Sequence, residues 1–251
     1  MKVKSVLMDS LYGKIVEDSL KGLKKLAVLI DPDQVSKEDL KKTIELSVDH
    51  KIDYFFVGGS LIMEDCLDLC LQMIKDHSDI PAIIFPGNNL QINAKADAIL
   101  YLSLISGRNP DFLIGKHVVS APILAKTDIE VVSTGYMLID SGAQTTASYI
   151  SNTQPIPFNK PSIAVSTAMA GELLGLKMIF MDGGSGAMNP VSMEMIQAVK
   201  SKINVPLIIG GGIRSKDKVK ENFNAGADIV VIGNAIEKDV EFIKEIADQR
   251  Y

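Results

Sequence analysis

The sequence predicts a TIM barrel, a closed ring of eight parallel β-strands in which a helix follows each strand. Eight short apolar runs recur along the 251 residues, amphipathic segments separate them, and glycine-rich segments follow the last three runs. Eight β/α units in about 250 residues is the usual size of this fold. A doubly wound parallel sheet has the same local pattern and is the alternative. We expect one barrel domain over residues 1–251, with a helical extension over about residues 1–24.

The strand candidates are apolar over nearly their whole length, as is typical of strands that are buried on both faces. They are LAVLI (26–30), YFFVG (54–58), AIIF (82–85), AILYL (98–102), VVSTGYMLI (131–139), KMIFM (177–181), PLIIG (206–210) and DIVVIG (228–233). In a barrel, the loops that follow these strands meet at one end of the ring.

The helical segments carry boundary signals. Ser36 is a candidate N-cap. Acidic residues follow it in the first turn, where they stabilise a helix. The segment 215–227 follows the same plan, with Gly226 placed to end the helix. The segment 163–176, rich in Ala and Gly, predicts a tightly packed helix. Residues 141–162 hold three prolines, so we expect a long loop or a broken helix there.

Composition argues against several classes of protein. A net charge of −5 gives no sign of a surface for nucleic acid. No apolar run reaches the roughly 18 residues that span a bilayer. The N-terminus lacks the apolar segment of a signal peptide, so the cytoplasm is the expected location. Cys66 and Cys70 lie in a helical segment and are expected to pack in the core.

Glycine-rich segments follow the last three strands, at 182–187, 210–215 and 233–236. In a barrel these loops lie together, and their backbone N–H groups form a site for phosphate. Glycine allows phosphate oxygens to approach those N–H groups, and Ser185 adds a hydroxyl donor. Tight turns alone would explain one such loop, but three consecutive loops favour a small phosphorylated ligand.

A second site is predicted at the other side of the barrel mouth. Asp31 follows the first strand, and Ser60 follows the second. One carboxylate together with ligand phosphates suits Mg²⁺, which would neutralise a departing diphosphate. A turn or N-cap role is the alternative for Asp31. None of the three histidines ends a predicted strand, which argues against a histidine-centred acid–base mechanism.

Six segments, in this order, resemble the geranylgeranylglyceryl phosphate synthases over essentially the whole chain from about Leu26 onward. They are LIDPD (29–33), FFVGGS (55–60), SLISGRNPDFLIGKH (103–117), FMDGGSGA (180–187), IIGGGIRS (208–215) and DIVVIGNAIEKD (228–239). The last two segments contain parts that are generic to phosphate-binding barrels. The GGS, SLISGRNP and DGGSGA parts, with that spacing, are more specific.

The resemblance implies a Mg²⁺-dependent prenyltransferase. It would join a prenyl diphosphate, with geranylgeranyl the expected chain, to the 3-hydroxyl of sn-glycerol 1-phosphate. The products would be an ether-lipid precursor and diphosphate. The resemblance also implies a homodimer, and the amphipathic product implies transient contact with a membrane.

The resemblance assigns metal binding to Asp31 and Ser60, and catalysis to Asp182 with Asp31. Its substrate-binding positions are Phe180, Met181, Asp182, Gly183, Gly184, Ser185, Gly186, Gly211, Gly212, Gly233 and Asn234. The family segment often reads Tyr-Leu-Glu where this chain has Phe-Met-Asp, so a phenol is absent there and the acid is one methylene shorter. The chain also has no tryptophan, whereas some archaeal members use bulky aromatics to limit prenyl length.

The prenyl chain requires an apolar groove, which we expect near the third and fourth strands. The candidate lining residues are Phe85, Tyr101, Leu104, Ile105 and Phe112. The candidate cations for the diphosphate are Lys95, Arg108 and Lys116.

Three other functions stay open from the residues alone. An FMN-dependent oxidoreductase can use the same late loops for the flavin phosphate. A sugar-phosphate isomerase would require paired acid and base residues at strand ends, where only Asp31 and Asp182 qualify. A phosphate-binding barrel without catalysis is the third, and the same two acids argue against it.

Overall fold

Eight parallel strands close into a barrel in the order in which they occur along the chain. The structure is a computed structural model and describes residues 10–59, 66–89 and 91–250. The strands are β1 (Lys25–Ile30), β2 (Tyr54–Val57), β3 (Ala82–Ile84), β4 (Ala98–Leu104), β5 (Glu130–Leu138), β6 (Met178–Asp182), β7 (Leu207–Gly210) and β8 (Ile229–Ile232). Each predicted strand is present, with ends within two residues of the prediction. The predicted fold class is therefore confirmed.

Helices surround the barrel, and none in the described ranges is long and apolar enough to span a bilayer. They are α1 (Leu11–Leu20), α2 (Lys37–Asp49), α3 (Leu67–His77), α4 (Lys116–Leu124), α5 (Thr146–Ser151), α6 (Pro161–Leu173), α7 (Met193–Lys200), α8 (Lys216–Asn224), α9 (Asn234–Lys238) and α10 (Phe242–Ala247). A π-helical turn, Asp111–Gly115, precedes α4, and a 3₁₀ turn, Asp248–Arg250, follows α10. Ser36 caps α2 as predicted, because its side chain accepts from the Asp39 N–H.

Alternate residues of each strand face two different apolar layers, because successive side chains of a strand point to opposite faces. In β2, Phe56 packs inside the barrel and Phe55 packs between strands and helices. In β6, Phe180 points inward and Met181 points outward. All four side chains are buried, and each contributes about 1.5–3 kcal/mol to stability. The same alternation decides which residues at a strand end reach the barrel mouth.

Two connections depart from a regular β/α unit. Between β3 and β4, the described residues of 85–97 form turns, bends and irregular backbone without a helix. The irregular segment 141–162 contains the short helix α5, which opens with a capping box of Thr145 and Ser148. The residue that follows α5, Asn152, has the left-handed conformation and caps its C-terminus. Both segments line one cavity at the barrel mouth, which is described below.

Helix α1 closes the opposite end of the barrel. Its buried Ile15 and half-buried Tyr12 pack against the interior apolar layer. The Glu130 carboxylate, at the start of β5, accepts from the N–H groups of Leu11 (2.7 Å) and Tyr12 (2.9 Å). The Tyr12 hydroxyl donates to the Lys177 carbonyl, next to the start of β6. These bonds attach the extension to the bottom of the barrel.

We predict that Glu130→Ala lowers the free energy of unfolding by about 1–2 kcal/mol, because it removes the acceptor at the start of α1. Urea denaturation measures the loss, and limited proteolysis should cleave near α1 sooner than in the wild type. Glu245→Ala, at an exposed position of α10, is the control. Equal stability of the two variants would contradict a structural role for Glu130.

Candidate active site

Three glycine-rich loops interlock at the C-terminal ends of β6, β7 and β8. The Gly183 N–H donates to the Gly210 carbonyl at 3.1 Å, which joins the loops after β6 and β7. Asn234 Oδ1, after β8, accepts from the Gly186 N–H and the Ser185 hydroxyl, both at 3.4 Å. The three segments that the sequence predicted to meet are therefore in contact.

Two of these glycines hold positions that no other residue fits without strain. Gly211 has φ +81°, and a Cβ there would lie 2.6 Å from Asp182 Oδ1. Gly184 has φ +84°, and its Cβ would lie 2.9–3.0 Å from Thr145, the cap residue of α5. Glycine is thus required both by backbone conformation and by close packing. The packing also connects the loop after β6 to α5.

Arg214 fixes the far end of the loop after β6. Its guanidinium donates to the carbonyls of Ala187 and Met188, the latter at 3.1 Å. Within the described ranges, the backbone N–H groups of Ser185 and Gly212 have no protein acceptor. Unpaired amides beside a cationic side chain are suited to bind an anion such as phosphate.

A buried carboxylate lies beneath these loops. Asp182, only 7% exposed, accepts from the Tyr136 hydroxyl at 2.6 Å and from the Gly184 N–H at 2.7 Å. Burial raises the pKa of Asp182, although both hydrogen bonds favour the carboxylate and oppose the rise. Burial and the Asp182 charge raise the pKa of Tyr136 well above its ordinary value. Tyr136 therefore stays protonated and remains a donor.

Strand register places this pair together. Tyr136 on β5 is the direct neighbour of Phe180 on β6, and their rings meet edge to face with centroids 5.4 Å apart. Asp182 lies two residues beyond Phe180 and so points to the same side. Phe180 has no hydroxyl, so the hydroxyl that bonds to Asp182 comes from Tyr136 on the neighbouring strand. Sequence reasoning missed Tyr136, because no local motif marks a contact between residues 46 positions apart.

A polar cavity of about 400 Å³ opens above the pair. The predicted site residues that line it are Asp31, Phe180, Asp182, Gly184, Ser185, Gly186, Gly211, Gly212, Gly233 and Asn234. Two predicted residues do not line it. Met181 is buried in the outer apolar layer, and Gly183 is buried beneath its neighbours and bonds to β7. Ser60 lies outside the described residues.

Asp31 enters the cavity from the end of β1. Its Oδ1 accepts from the Asp33 N–H at 3.2 Å, and a Cβ on Gly59 would lie 2.8 Å from its Oδ2. Burial raises the pKa of Asp31. Glu237, on α9, lines the same cavity, and burial together with the Asp31 charge raises its pKa.

These carboxylates fit a hard cation. The described residues contain no group of three or more His, Cys, Asp or Glu side chains arranged around one point. Mg²⁺ ordinarily binds proteins through one or two carboxylates together with substrate phosphates. Asp31, which lines the polar cavity, supplies one such carboxylate.

An apolar cavity adjoins the polar one. Among the predicted groove residues, Phe85, Tyr101, Leu104 and Phe112 line it, whereas Ile105 packs outward against Gly135 and Gly171. Gly59, Phe85 and Tyr136 line both cavities, which therefore lie side by side.

His117, on α4, also faces the apolar cavity. Its Nε2 lies 3.2 Å from the Ser103 hydroxyl, and burial lowers its pKa. The imidazole is therefore neutral near pH 7 and suits an apolar surrounding.

Of the three basic residues proposed from sequence, Lys116 lines a cavity, whereas Lys95 and Arg108 line neither. Lys95 pairs with Asp68 at 2.8 Å, and Arg108 bonds the Gly107 carbonyl. Lys116 lines the apolar cavity, with its ammonium 3.9 Å from the centre of the Phe112 ring. Among the described residues, the cations that line the polar cavity are Arg214 and Lys238. The position of Arg214, within the glycine-rich segment 210–215, was a usable signal.

Fold and site together define a (β/α)₈ barrel with glycine-rich loops suited to phosphate, a buried carboxylate and a second, apolar cavity. The chain belongs to the PcrB family, whose profile matches residues 21–250.

Named relatives agree with this assignment. The chain is 53% identical over 240 residues to the geranylgeranylglyceryl phosphate synthase of Chitinophaga pinensis, covering 96% of this chain and 95% of the relative. It is 50% identical to the enzyme of the same name from Spirosoma linguale, covering 91% and 92%. Among solved structures, it resembles (S)-3-O-geranylgeranylglyceryl phosphate synthase from Thermoplasma acidophilum in complex with the substrate sn-glycerol-1-phosphate. The TM-score is 0.90 at 28% identity, with 96% and 98% coverage. The predicted resemblance is confirmed.

We predict that Gly211→Ala destabilises the protein more than Gly186→Ala. Both glycines have a left-handed φ, +81° and +79°, but a Cβ at Gly186 meets nothing within 4 Å. Gly186→Ala should therefore cost only the backbone strain, about 1 kcal/mol, while Gly211→Ala also displaces Asp182. Urea denaturation compares the two variants, and identical midpoints would contradict the close packing of Gly211 on Asp182.

Proposed function

We propose that the protein transfers a prenyl group from a prenyl diphosphate to the 3-hydroxyl of sn-glycerol 1-phosphate. The observation that carries this proposal is the position of the Tyr136–Asp182 pair. Both residues line the polar cavity, and Tyr136 also lines the apolar one. A reaction between a small phosphorylated alcohol and an apolar chain requires a site with this division.

The glycerol phosphate occupies the polar cavity in this proposal. Its phosphate lies against the unpaired N–H groups of Ser185 and Gly212, with Arg214 nearby. Its glycerol end then points down toward Asp182. The solved relative from Thermoplasma acidophilum, whose complex contains sn-glycerol-1-phosphate, supports this choice of ligand.

The prenyl chain occupies the apolar cavity. Aromatic and aliphatic side chains, among them Phe85, Leu104 and Phe112, supply its lining. The diphosphate end of the substrate then lies near Gly59, which lines both cavities, beside Asp31. Geranylgeranyl is the proposed chain, in agreement with the names of the relatives.

Asp182 accepts the proton of the substrate hydroxyl as the new C–O bond forms. The bond between the allylic carbon and the diphosphate breaks in the same exchange, and diphosphate leaves with its electron pair. Asp182 already accepts two hydrogen bonds, but a carboxylate has about four acceptor positions, so a third donor fits. Its raised pKa makes it a stronger base than an exposed aspartate. Tyr136 and Gly184 hold its orientation.

Mg²⁺ is the proposed cofactor, with Asp31 and Ser60 as its protein ligands. When bound, it would neutralise charge on the departing diphosphate. A homodimer and a cytoplasmic location remain predictions.

The proposal is tested with labelled glycerol 1-phosphate of each enantiomer and a series of prenyl diphosphates. Label should enter the organic phase from the sn-1 enantiomer alone, and EDTA or Asp31→Ala should abolish the transfer. Asp182→Asn should lower kcat by about 10²-fold or more, since it removes a general base. Asp217→Asn, at an exposed position of α8, should leave kcat unchanged. Absence of transfer with every chain length would overturn the proposal.

We predict that Tyr136→Phe moves the acidic limb of the kcat–pH profile to higher pH. The wild-type limb should lie above the ordinary aspartate value of 3.8, because burial raises the pKa of Asp182. The Tyr136 hydroxyl favours the carboxylate, so its removal raises that pKa further. Activity is lost as pH falls through the pKa, and hence the variant loses activity at a higher pH.

Tyr54→Phe is the matched control for this prediction, because Tyr54 is also buried inside the barrel. Its acidic limb should coincide with that of the wild type. A Tyr136→Phe limb that stays in place, or moves to lower pH, would show that Asp182 is not the titrating base.

A further inference from the structure

Exposed apolar side chains lie on the elements that line the apolar cavity. Four of them form what we call the mouth patch: Ile114, Val118, Tyr149 and Ile150. Their exposed fractions are 60%, 65%, 72% and 41%, respectively. Large apolar residues exposed together on a soluble surface usually mark a site of contact with another molecule.

The mouth patch and the apolar cavity share their structural elements. Phe112, in the π-helical turn that carries Ile114, lines the cavity, and so do Lys116 and His117 at the start of α4. Ile150 of α5 lines the cavity and is also exposed. The inner face of these elements thus forms the cavity wall, while the outer face forms the patch.

Charge near the patch is positive, in a chain whose net charge is −5. The segments 105–119 and 141–160, which contain the patch, hold Arg108, Lys116 and Lys160 but only one acid, Asp111. Arg108 and Lys160 are exposed. Lys160 directly precedes α6, which like α4 begins at the C-terminal end of the barrel. An apolar patch with basic neighbours is complementary to an anionic lipid surface.

We propose that the mouth patch docks the protein on the surface of an anionic lipid bilayer. The inference rests on the proposed function in one respect, since it takes the occupant of the apolar cavity to be a lipid chain. Docking in this orientation lets a prenyl chain pass between bilayer and cavity without crossing water. Exposing the methylene groups of such a chain to water is unfavourable, so transfer through water would be slow.

Vesicle flotation tests the proposal directly. The full-length protein is mixed with vesicles of phosphatidylcholine alone or of phosphatidylcholine with phosphatidylglycerol. We expect flotation with the anionic vesicles only, and a decrease as salt is raised. Lys160→Gln should lower the partition coefficient about fivefold, as one lost cation near the surface predicts.

The decisive variant is Val118→Gln with Tyr149→Gln. Neither side chain lines the polar or the apolar cavity, and we expect a partition coefficient roughly tenfold or more lower. The matched control is Leu173→Gln with Leu174→Gln, whose leucines are 86% and 79% exposed. They lie where α6 ends, shortly before β6 begins and so at the opposite end of the barrel. Binding of the control should equal that of the wild type.

Three results would overturn the proposal. Wild-type protein that fails to float with anionic vesicles is the first. Equal loss in the patch and control variants is the second. The third is a patch variant whose mass in analytical ultracentrifugation falls while its vesicle binding is unchanged, since the patch would then join copies of the chain.

A separate assay keeps this proposal distinct from the proposed function. The patch variant should retain wild-type turnover of a short, water-soluble prenyl diphosphate but lose rate on a long chain presented in anionic vesicles. If no variant turns over either substrate, the proposed function fails while flotation still decides the docking. Equal rates on vesicle-bound substrate for wild type and patch variant would contradict a role of docking in substrate supply.

Discussion

The barrel mouth depends on one buried carboxylate. An ionised aspartate removed from water is costly unless donors replace the lost hydration. For Asp182 these donors are the Tyr136 hydroxyl and the Gly184 N–H. The Gly184 bond requires a left-handed backbone in the loop after β6, and the space over the carboxylate admits no side chain at Gly211. Gly184 and Gly211 are therefore required because they surround the Asp182 carboxylate. Glycine in these loops also exposes backbone N–H groups.

The two cavities follow from an asymmetry in the ring. On the side of β6, β7 and β8, the loops bond to one another and leave the polar cavity above the strand ends. On the side of β3, β4 and β5, the described part of the β3–β4 connection has no helix, and α5 is short. Because these two connections contain little helix, an apolar cavity remains between the strands and the surrounding segments. Tyr136 stands where the two meet, so one side chain contacts both environments.

Much of the fold was predictable because the strands of a parallel barrel are buried on both faces and therefore read as apolar runs. Glycine-rich loops and the Ser36 cap were predictable for a similar reason, since their chemistry is local. Two predicted lining residues, Met181 and Ile105, line neither cavity for a related reason. Met181 and Ile105 are apolar neighbours of true lining residues, but the strand alternation turns Met181 to the outer layer and the Ile105 side chain packs there as well. A run that is apolar throughout does not reveal which residues face inward.

The sequence by itself determined the barrel, the glycine-rich loops and the acids at the ends of β1 and β6, because periodicity, glycine and strand ends are local properties of the chain. Only the tertiary structure decided that Tyr136 holds Asp182, that Arg214 fixes the loop after β6 and that the apolar cavity opens beside the polar one. These contacts join residues on different strands and loops. Their geometry arises from strand register and ring closure, which bring together residues that are far apart along the chain.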